Sequence, residues 1–153
     1  MINQRVSCLC AVLATMILAV QAVAASDPWT QGQLMTPEEL AKELSSTEAA
    51  KPTLISLTFR VAYQSGHIPG SLHFGPGRDP KTIEDLKEWA KSVPKNKKVV
   101  LYCGCCPWDH CPNVRPAFQA LKEMGLTQLR VVKIPNNLGT DWADKGYPID
   151  RGR

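Results

Sequence analysis

Cysteine is absent from position 11 to position 102 and again after position 111. A chain that used disulfides to hold a small core would spread its cysteines, because the stabilisation grows with the loop that is closed. Here Cys103, Cys105, Cys106 and Cys111 share nine positions, which favours chemistry or metal binding over scaffolding. The sequence also lacks internal repeats, low-complexity segments and a strong charge excess. Its net charge of +4 is scattered, and Lys95, Lys97 and Lys98 form the one basic cluster, in a turn-like PKNKK. That cluster reads as a solvated loop, so nucleic acid is not an expected partner.

Even the amino terminus lacks a run long enough for a stable membrane anchor. The apolar stretch is interrupted by Thr15 and Gln21, and spanning needs about 20 apolar residues. Arg5, the apolar Leu9 to Val20, and the small Ala22-Val23-Ala24 instead have the order of a secretory signal peptide. No cysteine follows the cut directly, which speaks against a lipoprotein. The expectation is an exported protein, periplasmic in a Gram-negative bacterium or otherwise secreted. Residues 1–24 are then signal peptide, 25–33 a polar connector, and 34–153 one domain. On the order of 130 residues can bury a core without staples.

What is present alternates. Thr36, Pro37 and Glu39 give an N-cap, a first-turn proline and a capping box for a helix. PTLISLTF reads as a buried strand, and Gly66, Pro69 and Gly70 mark a turn before another short one. Asp79-Pro80 opens a helix with Ile83, Leu86, Trp89, Ala90 and Val93 on one face. Val99 to Tyr102 is a strand, a helix closes at Met124-Gly125, LRVVKI is another strand, and a short helix around Trp142 ends at Gly146. This order predicts an α/β fold with a central, mainly parallel sheet covered by helices on both faces.

Two prolines locate the helix after the cysteines. With Pro112 at its first position, Pro116 would be fifth and would break it. With Asn113 as N-cap, Pro116 is third, where its missing amide costs nothing. The loop therefore runs from Cys103 to about Pro112, with the positive helix end facing it. Arg115 either points into that loop or is a surface residue.

Several of these residues stand in a familiar order. Tyr63 to Ser71, reading YQSGHIPGS, resembles the GHIPG turn of rhodanese-like domains. VVLYC ending at Cys103 is similar to that family's strand and nucleophile, Lys122 to Gly125 to the close of its next helix, and Gly139-Thr140-Asp141-Trp142 with Gly146-Tyr147-Pro148 to its ending. The resemblance runs from about Met35 to Asp150. It implies a rhodanese-like fold and sulfurtransferase chemistry in which Cys103 takes a sulfane sulfur as a persulfide. A small sulfur-containing anion would be the donor and a thiol the acceptor, with a periplasmic redox or sulfur-relay protein as a partner and no cofactor beyond the persulfide. Such chemistry needs a lowered thiol pKa and amides around an anionic sulfur, and Gly104 lets the backbone turn closely. The chain departs from the pattern in two places. Eleven residues separate Cys103 from Arg115, so the loop is expected to be enlarged. Ser56 and Thr58 stand where the family carries a carboxylate and an arginine. A phosphatase cradle fits poorly, since only three residues separate Cys111 from Arg115.

The substrate-binding loop is expected to comprise Gly104, Cys105, Cys106, Trp108, His110, Cys111, Asn113 and Arg115. Three readings of its extra cysteines stay open. Cys111 or Cys106 is a resolving thiol for Cys103; or the thiols with His110 bind a soft metal, Cu(I) or zinc, in a non-catalytic metal or thiol-redox module on the same scaffold; or Cys106 and Cys111 form a disulfide that shapes the loop. Trp108 covers the sulfur or packs on the domain, Asp109 faces solvent, and His67 holds its turn by hydrogen bonding.

Overall fold

The structure is a computed structural model that describes residues 27–47 and 50–152. The signal-peptide reading lies outside the described residues. Five parallel strands form one sheet: β1 (Leu34–Met35), β2 (Thr53–Ser56), β3 (Leu72–His73), β4 (Lys98–Tyr102) and β5 (Gln128–Val132), in the order β1-β5-β4-β2-β3. The helices are α1 (Pro37–Ser45), α2 (Arg60–Ser65), α3 (Pro80–Ser92), α4 (Val114–Glu123) and α5 (Leu138–Asp141). The capping box expected at Thr36 closes: Glu39 N donates to Thr36 Oγ1 at 3.1 Å and Thr36 N to Glu39 Oε2 at 2.7 Å.

Successive side chains of a strand point to opposite faces, and β4 is covered on both. Val99 and Leu101 enter a core with Ile55, Leu86, Ala90 and Phe118 beneath α3 and α4. Val100 and Tyr102 enter a second core with Leu40, Ile134 and Trp142 beneath α1 and the carboxyl-terminal turn. This explains the continuous apolar run of the strand. Each such side chain, fully buried, stabilises by about 1.5–3 kcal/mol. The alternation carries one residue further, so Cys103 joins the first core at the carboxyl end of β4.

The turn before β3 is pinned to that strand. Ile68 N donates to Tyr102 Oη at 3.2 Å, Ser71 Oγ lies 2.8 Å from the same oxygen, and Tyr63 Oη donates to Ser71 O at 2.6 Å. His67 is buried, stacks on Tyr63 and sets Nδ1 2.8 Å from Tyr63 O, the structural part expected of it. Its backbone also pairs with Asp150 in both directions, which draws the chain end alongside α2. α2 and β1 were not foreseen, being too short to display a period. Trp29, within the expected polar connector, is buried against Trp108 and Phe118, with ring centroids 5.4 and 5.5 Å apart.

α4 begins where the prolines require, with Asn113 at the cap and Pro116 third. Gly77 is what allows it to lie there, because a Cβ at that position would stand 2.0 Å from Asn113 O. Gly77→Ala must displace either the 76–78 loop or the start of α4. A loss of about 1–3 kcal/mol in urea unfolding is expected, the range for inserting an extra carbon in a packed site. A second prediction concerns the two-point pair between Arg130 and Glu43, whose Nη1–Oε2 and Nη2–Oε1 distances are 2.7 and 2.6 Å. The Arg130 hydrogen bonds hold the Glu43 carboxyl below its ordinary value of 4.5. A carboxyl lowered in the folded state adds stability above its unfolded pKa and loses it as pH falls through the folded one. The stability gap between the wild type and Glu43→Gln should therefore be widest at neutral pH and shrink below about pH 4.5.

Candidate active site

The cysteine loop leaves β4 through Gly104, whose φ of 74° belongs to glycine and whose Cβ would lie 2.9 Å from that of Leu138. Gly104 O accepts from Leu138 N at 2.9 Å, which ties the loop to α5. A single 3-10 turn, Trp108–His110, follows, and Trp108 N donates to Pro135 O at 3.1 Å. The Trp108 indole is buried, so it packs on the domain and also walls the inner side of the thiols. Cys103, Cys105, Cys106 and Cys111 are free thiols here, so the Cys106–Cys111 staple is not seen; these backbone bonds and the paired indoles of Trp29 and Trp108 hold the loop in its place.

The sulfurs meet at the end of β4. Cys103 Sγ lies 3.1 Å from Cys105 Sγ, donates toward Leu57 O at 3.5 Å, and accepts from Asn113 Nδ2 at 3.4 Å. Cys105 and Cys106 sulfurs are 3.8 Å apart, and those of Cys103, Cys106 and Cys111 all fall within 4.8 Å of one another. Asn113 takes the N-cap position with a helical backbone and no side-chain capping bond. Its amide turns to the sulfurs, while its Oδ1 accepts from Arg78 N at 3.4 Å.

The cluster shares its protons unevenly. A hydrogen bond from the Cys103 thiol, and then the backbone amides of Asn113 and Val114, lower Cys111 to about 6 despite burial. The Cys103 hydrogen bond likewise lowers Cys105 to about 5. Cys103 is pushed up, because its proton serves Cys105 and Cys111 and because it is buried. Burial and the charges of Cys111 and Cys105 push Cys106 up to about 12. The amides at the start of α4 thus act on Cys111 rather than on Cys103.

Cys103, Gly104 and Cys105 line an open cleft of about 520 Å³, whose other walls include Thr58, Phe59, Ala62, Leu138 and Ile149. Cys106, Cys111 and Trp108, again with Cys103 and Gly104, line a second, small pocket. Of the expected loop residues, the structure brings these six and Asn113 together. His110 and Asp109 are exposed. Arg115 turns away: its Nε pairs with Asp27 Oδ1 at 2.7 Å, its Nη1 donates to Cys111 O at 3.3 Å, and its guanidinium stacks over Trp29 and Trp108. The positive side chain at the cleft is Arg151, which sequence reasoning missed. It arrives through the pairing of His67 with Asp150, a long-range contact with no local signature.

The family model for the rhodanese-like domain matches residues 36–133. An HTH-type transcriptional regulator of Mycobacterium tuberculosis is 28% identical over 151 residues, 97% of this chain and 58% of that protein. The chain therefore spans less than two thirds of that curated relative. Among solved structures, the rhodanese-like domain of an Anabaena protein superposes with a TM-score of 0.56 at 22% identity, covering 78% of this chain and 79% of that one. A thiosulfate sulfurtransferase of Pseudomonas aeruginosa gives 0.51 at 18% identity, over 78% of this chain and 20% of that one. These structural likenesses concern the fold. Since the matched stretch runs from the N-cap of α1 past the end of β5, with the strand-end cysteine inside it, the chain belongs to the rhodanese-like domain family.

Proposed function

We propose that this protein is a sulfurtransferase in which Cys103 takes up a sulfane sulfur and hands it to a thiol. The observation that carries the reading is the setting of Cys103 Sγ at the end of β4 in the wall of an open cleft, 3.1 Å from Cys105 Sγ and within reach of the Asn113 amide. The name borne by the Pseudomonas aeruginosa relative agrees with this chemistry. With thiosulfate as donor, Cys103 gives up its proton to solvent in the open cleft and attacks the outer sulfur as a thiolate. The sulfur–sulfur bond of thiosulfate breaks with its electron pair going to sulfite, and Cys103 becomes a persulfide. An incoming thiolate then takes the outer sulfur and returns Cys103 as a thiolate, which recovers its proton. Asn113 Nδ2, already directed at Cys103 and Cys105, steadies the negative sulfur at each stage. Arg151 attracts the dianion into the cleft. The amino-terminal pattern from Arg5 to Ala24 supports placing this activity in an exported compartment, with a thiol or sulfur-relay protein as acceptor.

Reduced protein treated with thiosulfate should gain the mass of one sulfur atom, and Cys103→Ser should abolish the gain. An adduct that survives in Cys103→Ser would sink the assignment. Arg151→Ala should raise the thiosulfate concentration for half-maximal loading several-fold, on the order of the loss of one screened charge contact, while the loading rate at saturation holds.

A further inference from the structure

The small pocket beside Cys103 adds two sulfurs, those of Cys106 and Cys111, that sulfur transfer does not use. Cys103, Cys106 and Cys111 present three sulfurs within 4.8 Å of one another. A metal–sulfur bond of about 2.3 Å in a planar trigonal site spaces its sulfurs about 4 Å apart, so this triplet needs a contraction of under about 1 Å. The other walls are Gly104, Trp108, Val114, Val132 and Ile134, which offer no carboxylate or imidazole, and there is no room for a water-sized sphere. Cys105 Sγ lies 3.1 Å from Cys103 Sγ and 3.8 Å from Cys106 Sγ but falls outside the triplet that closes within 4.8 Å, and it lines the neighbouring cleft. His110, the nitrogen ligand suggested by its place among the cysteines, is exposed.

These features discriminate between ions. Zinc takes four ligands, and an open zinc site completes its shell with water. The pocket supplies three sulfurs and excludes the water. Soft thiolates in a dry, low-coordinate site suit a monovalent soft ion. We propose that Cys103, Cys106 and Cys111 form a three-coordinate Cu(I) site. On binding, each ligating cysteine forms one sulfur–copper bond as its thiolate, those still protonated release their proton to solvent, and the metal stays Cu(I), so no electron moves. The amides at the start of α4, together with the Asn113 side chain, offset the negative charge of the thiolates. The proposal stands on the geometry of the three sulfurs in the reduced, sulfur-free protein, where it can be tested apart from sulfur transfer.

The test uses the reduced full chain under anaerobic conditions, with Cys8→Ser and Cys10→Ser in every sample so that the amino-terminal thiols do not compete. The chain should withdraw one equivalent of Cu(I) from a chromogenic Cu(I) chelator, and X-ray absorption should show three sulfur neighbours. Cys106→Ser and Cys111→Ser should each weaken binding by more than the roughly 10–100-fold typical of losing an outer-shell partner. His110→Ala should bind as the parent does. Failure to withdraw copper, a nitrogen or a fourth sulfur among the neighbours, or a His110→Ala loss equal to that of Cys106→Ser would overturn the site. If a serine variant loses its near-ultraviolet circular dichroism, the parent's sulfur count decides.

Discussion

A strand buried on both faces has no freedom in where its next side chain goes, and that constraint governs this molecule. β4 lies between β5 and β2, with its odd-numbered residues under α3 and α4 and its even-numbered residues under α1 and Trp142. A slip of one residue would exchange the two cores, so the register is strongly held. Cys103 inherits this rigidity. Its sulfur is delivered to the α4 side at the carboxyl edge of the sheet, the edge at which open α/β sheets place their ligands.

The loop that follows is built to bring thiols to that sulfur rather than to cover it. Gly104 turns the chain against α5, the buried Trp108 anchors the far side, and Pro116 obliges α4 to start at Val114. Between these fixed points the remaining cysteines have one compact place to be. Arg115 contributes from outside, joining Asp27, Trp29 and Trp108 into a clasp over the loop. The consequence is an asymmetric sulfur group. Cys105 lines the larger cleft, Cys106 and Cys111 line the small pocket, and Cys103 belongs to both.

Much of the fold was legible because its signals are local. The capping box of Thr36 and Glu39, the three-and-four spacing of Leu86 and Ala90, the apolar run of β4 and the left-handed Gly146 each act within a few residues. The proline argument succeeded for the same reason. α2 and β1 escaped because six and two residues carry no period, and Trp29 escaped because its partners Trp108 and Phe118 are distant in sequence.

At the site, the sequence by itself determined that a cysteine ends a buried strand, that three more lie in the loop before a helix, and that the helix begins after Asn113. Those facts follow from strand alternation and proline sterics, which need no knowledge of the rest of the chain. Only the tertiary structure decided which sulfurs meet, that Asn113 serves sulfur rather than its helix, that Arg115 is spent on Asp27, and that Arg151 reaches the cleft. Each of these depends on distances between segments far apart in the chain, and hydrogen bonds and charges act through space, without regard to sequence separation.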